Sequence, residues 1–499
     1  MQIVIRADAS PEIGIGHIMR CLALGQAWQD AGGRATFLIA PGTSALETRL
    51  QAEGMNVVPL LAQAGSAADA TETAGLARTL EASWVVVDGY HFGADFQRAI
   101  KDSGRSLLFV DDYGHAEHYY ADLVLNQNLN ADSRLYPRRE PYTRLLLGSR
   151  YILLRREFLQ WRGWRRQTPL EARKVLVTLG GGDPGNVTLK VIQALQEMRM
   201  DGLEARVVVG PSNPHFEVLD SATRGSSFAI LQGNGLDIPR LMAWSDIAVS
   251  GAGTTCWELA FMKLPGLVII LADNQDLIAR ELAKTGALIN LGWHSDVSCG
   301  RIAESLRQMM TSIECRSRMI EQLRSIVDGQ GSRRVALLLK STPLKLRSVL
   351  PEDCRLLWEW ANDPNARQSS FSADPIPWEE HVKWFSGKLA DSKCILLLAL
   401  DDSGRPLGQI RFDLNDRQEA EIDVTIDGDK RGLGYGPALI SAGVEEVFRT
   451  TPVHTLHAFV KVGNIASSRA FEKARFQNLG SVTVAGNPAL HFVRSKSCE

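Results

Sequence analysis

Along the first third of the chain, short apolar runs alternate with segments whose apolar residues recur at helical spacing. Gln2–Ala7 reads as a buried strand. Beyond a turn through Pro11, Gly14 and Gly16, the spacing of Ile18, Leu22, Leu24 and Trp28 predicts a helix. Further apolar runs at 35–40, 84–87, 107–110 and 123–126 are separated by helical patterns. This alternation predicts a parallel sheet with helices on both faces over residues 1–150. The rhythm restarts at Lys174-Val-Leu-Val-Thr-Leu and continues through Ile247-Ala-Val-Ser250 and Pro265-Gly-Leu-Val-Ile-Ile-Leu271, so a second such unit is expected over 151–340.

Ser341-Thr-Pro343 has the small polar and proline content of a linker. After it the pattern changes. Residues 344–349 read as a strand, Pro351 to Trp360 as a helix broken by Asn362-Asp-Pro364, and Pro377 onward as another helix. Cys394–Leu400 and Pro406–Leu414 read as antiparallel strands joined by Asp401-Asp-Ser-Gly404, with Glu419–Ile426 as a further strand. Residues 344–499 are thus expected to form a separate α+β domain.

Glycine and polar residues gather where strands hand over to helices. Ligands of parallel sheets sit beyond the strand C-termini, where a helix start offers unpaired N–H groups to an anion. Gly14-Ile-Gly16 precedes His17 on the first helical turn, where an imidazole can exchange a proton near neutral pH. Gly180-Gly181-Gly182-Asp183-Pro-Gly-Asn186 and Ser250-Gly251-Ala-Gly253-Thr254-Thr255 repeat the design, the latter followed by Glu258. Either these turns let a backbone approach a ligand, with Asn186 or Thr188 adding a polar group, or they only supply the φ angles of a tight loop. Asp8 and Ser10, Asp88-Gly-Tyr90-His91, Asp111-Asp112-Tyr113 and Asp273-Asn274-Gln275 mark other strand ends. Their acids either cap the next helix or line one cleft with His17.

Composition narrows the partners. A formal charge of −2 over 499 residues argues against binding a polyanion as the main business of the chain. No apolar run approaches the roughly 18 residues of a membrane helix, and the N-terminus lacks the pattern of a signal peptide. The 7 cysteines show no metal-ligand spacing, which suits reduced thiols in a cytoplasmic protein. No metal, nucleic-acid or membrane partner is expected.

Arg6-Ala-Asp-Ala-Ser10, Ile13-Gly-Ile-Gly-His17-Ile-Met-Arg20, Gly180–Asn186 and the stretch from Ser250 to Gln275 together resemble the UDP-sugar hydrolases of bacterial pseudaminic acid synthesis. That family is similar in fold to two-domain glycosyltransferases of the GT-B type, which implies two Rossmann-like domains. The resemblance implies that UDP lies on the second unit, with Ser250, Gly251, Gly253 and Thr254 near the diphosphate and Glu258 at the ribose. It implies His17 as the general base that activates water at the anomeric carbon. Tyr90 and Asn274 stand where the family meets the sugar, and Gly14, Gly16, Arg20, Gly181, Gly182, Asn186 and Gln275 are further substrate-binding positions.

In the last segment, Arg431-Gly432-Leu-Gly434-Tyr-Gly436 follows a strand and precedes a helix, and Asn464-Ile-Ala-Ser467 opens another helix. This arrangement resembles the GNAT acetyltransferases, which implies acetyl-coenzyme A held at Arg431, Gly432, Gly434, Gly436, Asn464 and Ser467. Two positions depart from that family. Phe471 stands where many members have a tyrosine acid, and Arg475 replaces a glycine. Glu419 and Glu421 are candidate bases or solvated strand charges. The expectation is a bifunctional enzyme that acetylates a UDP-4-amino-sugar at N4 and then hydrolyses UDP-2,4-diacetamido-2,4,6-trideoxy-β-L-altropyranose. The alternatives are a glycosyltransferase, a hydrolase whose second domain acetylates another amine, and a catalytically silent C-terminal module.

Overall fold

The computed structural model describes residues 1–9, 14–41, 44–181, 183–210, 213–233, 236–340, 344–401, 404–431, 435–484 and 486–496. Ser10, Pro11, Ile13, Gly182, the expected linker 341–343, Gly432, Gly434 and Cys498 lie outside the described residues. The chain is a mixed α/β protein of two compact units, Met1–Leu337 and Leu338–Glu499.

The first unit holds two parallel sheets. One contains β1 (Gln2–Ala7), β2 (Arg34–Ile39), β3 (Asn56–Pro59), β4 (Trp84–Asp88), β5 (Ser106–Val110), β6 (Leu123–Asn126) and β7 (Arg144–Leu147), in the order β3-β2-β1-β4-β5-β6-β7. The other contains β8 (Lys174–Thr178), β9 (Glu204–Val209), β10 (Phe228–Gln232), β11 (Ile247–Gly251), β12 (Gly266–Ile270) and β13 (Ile289–Trp293), in the order β10-β9-β8-β11-β12-β13. Central strands are buried on both faces, so Ile3-Val-Ile5 and Val85-Val-Val87 are continuous apolar runs. The helix Gly16–Asp30 buries Ile18, Leu22, Leu24 and Trp28. Strands β3, β7, β9, β10 and β13 escape the sequence reading, several being short or only half-buried.

Each sheet reverses its winding once, between β1 and β4 and between β8 and β11. Side chains beyond the C-terminal ends of those strand pairs face open crevices, because the two flanking connections leave in opposite directions. One charged residue interrupts the apolar β1. Arg6 is fully buried, donating to Asp69 at 2.9 Å and Asp8 at 2.6 Å. Removing either acid would leave a buried cation underpaired.

The second unit is one sheet of β14 (Lys345–Ser348), β15 (Cys394–Leu400), β16 (Pro406–Leu414), β17 (Glu419–Ile426), β18 (Thr455–Lys461), β19 (Gln477–Val484) and β20 (Asn487–Ser495). Its order is β14-β15-β16-β17-β18-β20-β19, and only β17–β18 is parallel. Ala420 and Ile422 share a core with Leu439, Val444, Leu456 and Phe471, so the alternating Glu419, Glu421 and Asp423 lie on the other face. The helix expected from Pro351 to Trp360 begins with a tight turn at Pro351–Asp353 and is α-helical over Cys354–Ala361; a short helix, Pro364–Ser369, follows the predicted break. The β19–β20 hairpin was not anticipated.

The two departures from the acetyltransferase pattern have one structural account. Helix Ile465–Lys473 ends with Arg475 N–H donating to Glu472 O and Phe476 N–H to Phe471 O, both at 3.0 Å. This is a Schellman ending, which packs the residue two beyond the cap on the last turn. Phe471 and Phe476 are those partners, with ring centroids 5.1 Å apart, and Phe492 lies 5.9 Å from Phe471. Phe471 is therefore a core residue. Arg475 takes the left-handed conformation, φ 64°, that glycine adopts freely. Its side chain is exposed. Arg475→Gly is expected to raise the stability of the second unit by about 1 kcal/mol. Denaturant unfolding of the full chain checks this: an unchanged or lower midpoint for that unit would refute it.

Candidate functional site

A cleft of about 280 Å³ joins the C-terminal ends of the two sheets in the first unit. Gly14, Gly16, His17, Arg20, Tyr90, Asp112 and Asn128 form one wall; Gly181, Gly251, Gly253, Thr254, Glu258, Asn274 and Gln275 form the other. The walls come close at the glycine loops: a Cβ on Gly16 would lie 3.3 Å from Thr254 Oγ1. Gly14, at φ 72°, adopts a backbone conformation that disfavours a side chain.

At the centre of the first wall is a buried ionic cluster. Asp88, at the end of β4, accepts from His17 Nδ1 at 2.6 Å and from Arg20 Nε and Nη2, each at 2.6 Å. Burial opposes the charge on Asp88, but Arg20 and His17 outweigh it and hold the acid well below the ordinary carboxylate range. An ionised carboxylate has no proton to give, so Nδ1 carries the hydrogen of this contact, and in the neutral ring the lone pair is on Nε2. Among the described residues none bonds Nε2, and His17 is only 5% exposed. The imidazole is thus oriented for proton acceptance at one defined atom.

Arg20 extends the cluster by donating to both oxygens of Asp112, at 2.8 and 3.0 Å. Burial works against the Asp112 charge, and Arg20 restores it, lowering that acid as well. Tyr90 donates to Asp112 at 2.7 Å, and its ring meets the His17 ring edge-on at 4.9 Å. Burial and then the Asp112 charge push the Tyr90 phenol above its ordinary value, keeping it a donor. Asn274 Nδ2 donates to Tyr90 Oη at 3.1 Å, tying the second wall to the first.

On the second wall, Glu258 accepts from Arg155 Nη2 at 2.7 Å; burial pushes its acid up, against the pull of Arg155. Gln275 Oε1 accepts from the backbone of Ala252 and Leu271, at 3.2 and 3.1 Å, bracing the loop after β11. Helices Gly16–Asp30 and Thr255–Phe261 start with no side-chain cap, although in the second the N–H groups of Cys256 and Trp257 already donate to Gly253 O at 3.0 Å and Thr254 O at 3.1 Å.

The second glycine turn differs from expectation. Asp183 accepts from the backbone N–H of Val187 at 2.9 Å and of Thr188 at 2.8 Å, so the chain's own carboxylate already occupies that helix start. Asn186 takes a left-handed turn position, and neither it nor Thr188 lines the cleft. Gly181 does line it; a Cβ on Gly210 would fall 1.9 Å from the Gly181 carbonyl oxygen, which makes Gly210 the glycine that this approach requires. Ser250 is also off the cleft: it is fully buried and its hydroxyl donates to Gly251 O at 3.0 Å. Asp111 forms a turn, accepting from the N–H groups of Tyr113 and Gly114 and from the Tyr119 hydroxyl. Asp88 and Asp112 were visible in sequence as polar strand ends, and Arg20 as a substrate-binding position, but not that Arg20 pairs with both acids. Asn128, Arg155 and Trp257 line the cleft without having been singled out, and only the polar Asn126-Gln-Asn128 run hinted at the first.

In the second unit, β17 and β18 pair only over Glu419–Glu421 and Thr455–His457, and both strands continue beyond. The ladder therefore opens into a split edged by unpaired backbone, with Glu421 and His457 at its apex. Arg431 donates to Asp363 and to Ile426 O. Asn464 caps helix Ile465–Lys473 by accepting from Ser467 N–H at 3.1 Å. Gly436 meets Ala470 at ordinary contact distance, 3.7 Å for an added Cβ. Among the described residues no group of three or more His, Cys, Asp or Glu is placed to hold a metal, and no helix is long and apolar enough to cross a membrane.

Comparison with known proteins follows the same division. Residues 344–477 match the acetyltransferase (GNAT) domain family, and residues 186–330 match the glycosyltransferase family 28 C-terminal domain. An uncharacterized protein of Methanocaldococcus jannaschii is 23% identical over 96% of this chain and 97% of its own length. The UDP-2,4-diacetamido-2,4,6-trideoxy-beta-L-altropyranose hydrolase of Campylobacter jejuni is 24% identical over 57% of this chain and 97% of its own length. A spore coat polysaccharide biosynthesis protein of Bacillus subtilis is 25% identical over 50% of this chain and 73% of its own length. The N-terminal part is thus homologous to pseudaminic acid pathway UDP-sugar hydrolases, and the C-terminal part carries a GNAT domain.

The buried acids set an acid limit on stability. Burial opposes the charges of Asp8 and Asp111, but the side chains of His91 and Arg6 beside the first and of His115 beside the second bring both to about 2, against an ordinary 3.8. Between those values the unfolded chain binds more protons, so stability is present above pH 4 and is lost as pH falls toward 2, roughly 2 kcal/mol for each acid. Urea midpoints of the first unit should fall steeply from pH 4 to pH 2; a flat profile would contradict the assignment.

Proposed function

We propose that the first unit hydrolyses a UDP-sugar and that the second acetylates an amine of the same pathway. The reading of the first unit is carried by one observation: an imidazole held through Nδ1 stands in the first turn of one uncapped helix, and a second uncapped helix start lies on the opposite wall of the cleft. In the proposed reaction a water oxygen bonds to the anomeric carbon while its proton passes to His17 Nε2. The bond from that carbon to the β-phosphate oxygen breaks, and its electron pair leaves with UDP. Asp88 stabilises the resulting imidazolium at Nδ1, and Arg20 keeps Asp88 ionised and in place. N–H groups beyond Gly14–Gly16 and Gly251–Thr254 take up the growing diphosphate charge. Two Rossmann-like domains of GT-B type, meeting at this cleft, are the architecture that this reading assigns to 1–150 and 151–340.

The preferred substrate is UDP-2,4-diacetamido-2,4,6-trideoxy-β-L-altropyranose, following the Campylobacter relative. Release of UDP without any acceptor is expected from the wild-type chain. His17→Ala should lower the rate at least 10³-fold, and Asp88→Asn about 10²-fold or more, by releasing the imidazole tautomer. An enzyme that releases UDP only when a sugar or lipid acceptor is added would be a glycosyltransferase instead.

For the second unit, the split between β17 and β18 fits an extended amide chain, whose groups would pair with the open strand edges as a further strand does. Acetyl-coenzyme A would supply the acetyl group there. Glu421 stands at the apex on the polar face; burial and then the Asp413 charge raise its acid, which suits a base toward an ammonium proton. The assigned acceptor is the 4-amine of the UDP-sugar precursor, so acetylation precedes hydrolysis. Thiol release from acetyl-coenzyme A should depend on that amine and fall at least tenfold in Glu421→Gln. Cofactor binding without thiol release on any amine would make the module catalytically silent.

A further inference from the structure

Three buried polar atoms on residues lining the cleft have no hydrogen-bond partner among the described residues: Asn128 Oδ1, Arg155 Nε and Trp257 Nε1. They are of two chemical kinds and lie in two places. Arg155, ion-paired with Glu258, and Trp257, on the same helix as Glu258, carry donors. Asn128 offers an acceptor beside the His17 cluster, and the residue is only 3% exposed.

The orientation of the Asn128 amide is settled by its neighbours. Its Nδ2 donates to Asp112 Oδ1 at 3.0 Å and to Asp112 O at 3.3 Å. Reversing the amide would set its oxygen against both of those acceptors. The Asn128 backbone N–H donates to Asn126 Oδ1 at 3.0 Å, and Asn126 in turn donates to Asp112 O at 3.1 Å and to Tyr136 Oη at 2.9 Å. With Nδ2 committed and the loop held, Oδ1 is the side-chain atom without a partner, on a residue that lines the cleft. A buried acceptor without a partner is unfavourable, and a ligand donor would relieve it.

We propose that Asn128 is a specificity-determining residue of this cleft, whose Oδ1 accepts a hydrogen bond from a donor on the sugar ring, an acetamido N–H or a hydroxyl O–H. The proposal rests on the UDP-sugar reading, which already sets UDP on the second unit, and adds a named acceptor for the sugar. An ionised diphosphate presents only acceptors, so it cannot satisfy Oδ1, and the neighbouring Asp112 and Asp88 charges repel it. The sugar therefore belongs at the Asn128 wall and the nucleotide at the donor-rich Glu258 wall.

Calorimetric titration in a His17→Ala background, where turnover is blocked, tests this with two ligands: UDP and UDP-2,4-diacetamido-2,4,6-trideoxy-β-L-altropyranose. Adding Asn128→Ala should weaken the sugar nucleotide about tenfold and leave UDP unchanged. The unchanged UDP affinity also reports an intact cleft. An analogue with hydrogen in place of one acetamido group then locates the donor: a persisting loss assigns it to O–H or to the other amide, and a vanished loss assigns it to the replaced N–H. Equal weakening of both ligands would reduce Asn128 to a structural support of Asp112, and no weakening of either would also overturn the proposal. Failure of the His17→Ala protein to bind UDP at all would instead bring down the nucleotide reading itself, and the Asn128 assignment with it.

Discussion

The ion pair between Arg20 and Asp88 is the constraint on which the rest of the first unit's chemistry depends. Both residues are buried, so each needs the other to remain charged. Asp88 sits where β4 ends at the strand-order reversal, and Arg20 comes from the first turns of the helix after β1. The pair therefore joins the two elements that flank the crevice. Once it forms, His17 has a single orientation, Asp112 has a cation, and Tyr90 and Asn128 have an anion to bond. A neutral residue at position 20 would loosen the acids and the imidazole together.

Charge is also distributed by where helix starts are left open. Three glycine-rich turns look alike in sequence, yet one is closed by its own Asp183 and two remain uncapped at the cleft. A carboxylate at a helix start does for the protein what a phosphate would do in a complex. The capped turn still serves the cleft, through the backbone of Gly181 and the close approach that Gly210 permits. The second unit applies a related device with strands: a ladder that stops early leaves backbone groups for a ligand to pair, with polar Glu421 and His457 at the point of separation.

Much of this was legible from the chain. The apolar runs located the inner strands, and the strand-to-helix turns pointed to His17, Thr254 and Asn274, which line one cleft. Residues missed fall into two groups. Strands such as β10 and β19 are exposed along much of their length, so they lack a clear apolar signature. Asn128, Arg155 and Trp257 are ordinary residues in sequence, and their interest arises from an atom left unpaired after folding. Ser250 and Asn186 failed in the opposite sense: the right residue types at the right turns were directed inward or off the cleft by local backbone geometry.

Sequence alone determined the classes of element, the places where glycine and polar residues interrupt them, and the resemblance that motivated a UDP-sugar and an acyl donor. These are local properties, readable because side-chain burial repeats with the period of the element. Tertiary structure decided which acids share Arg20, which helix start is already filled, why Phe471 belongs to a core rather than a reaction, and which amide oxygen is left without a partner. Those outcomes depend on contacts between residues far apart in the chain, as with Arg20 and Asp112, and on desolvation that exists only when both sheets have folded.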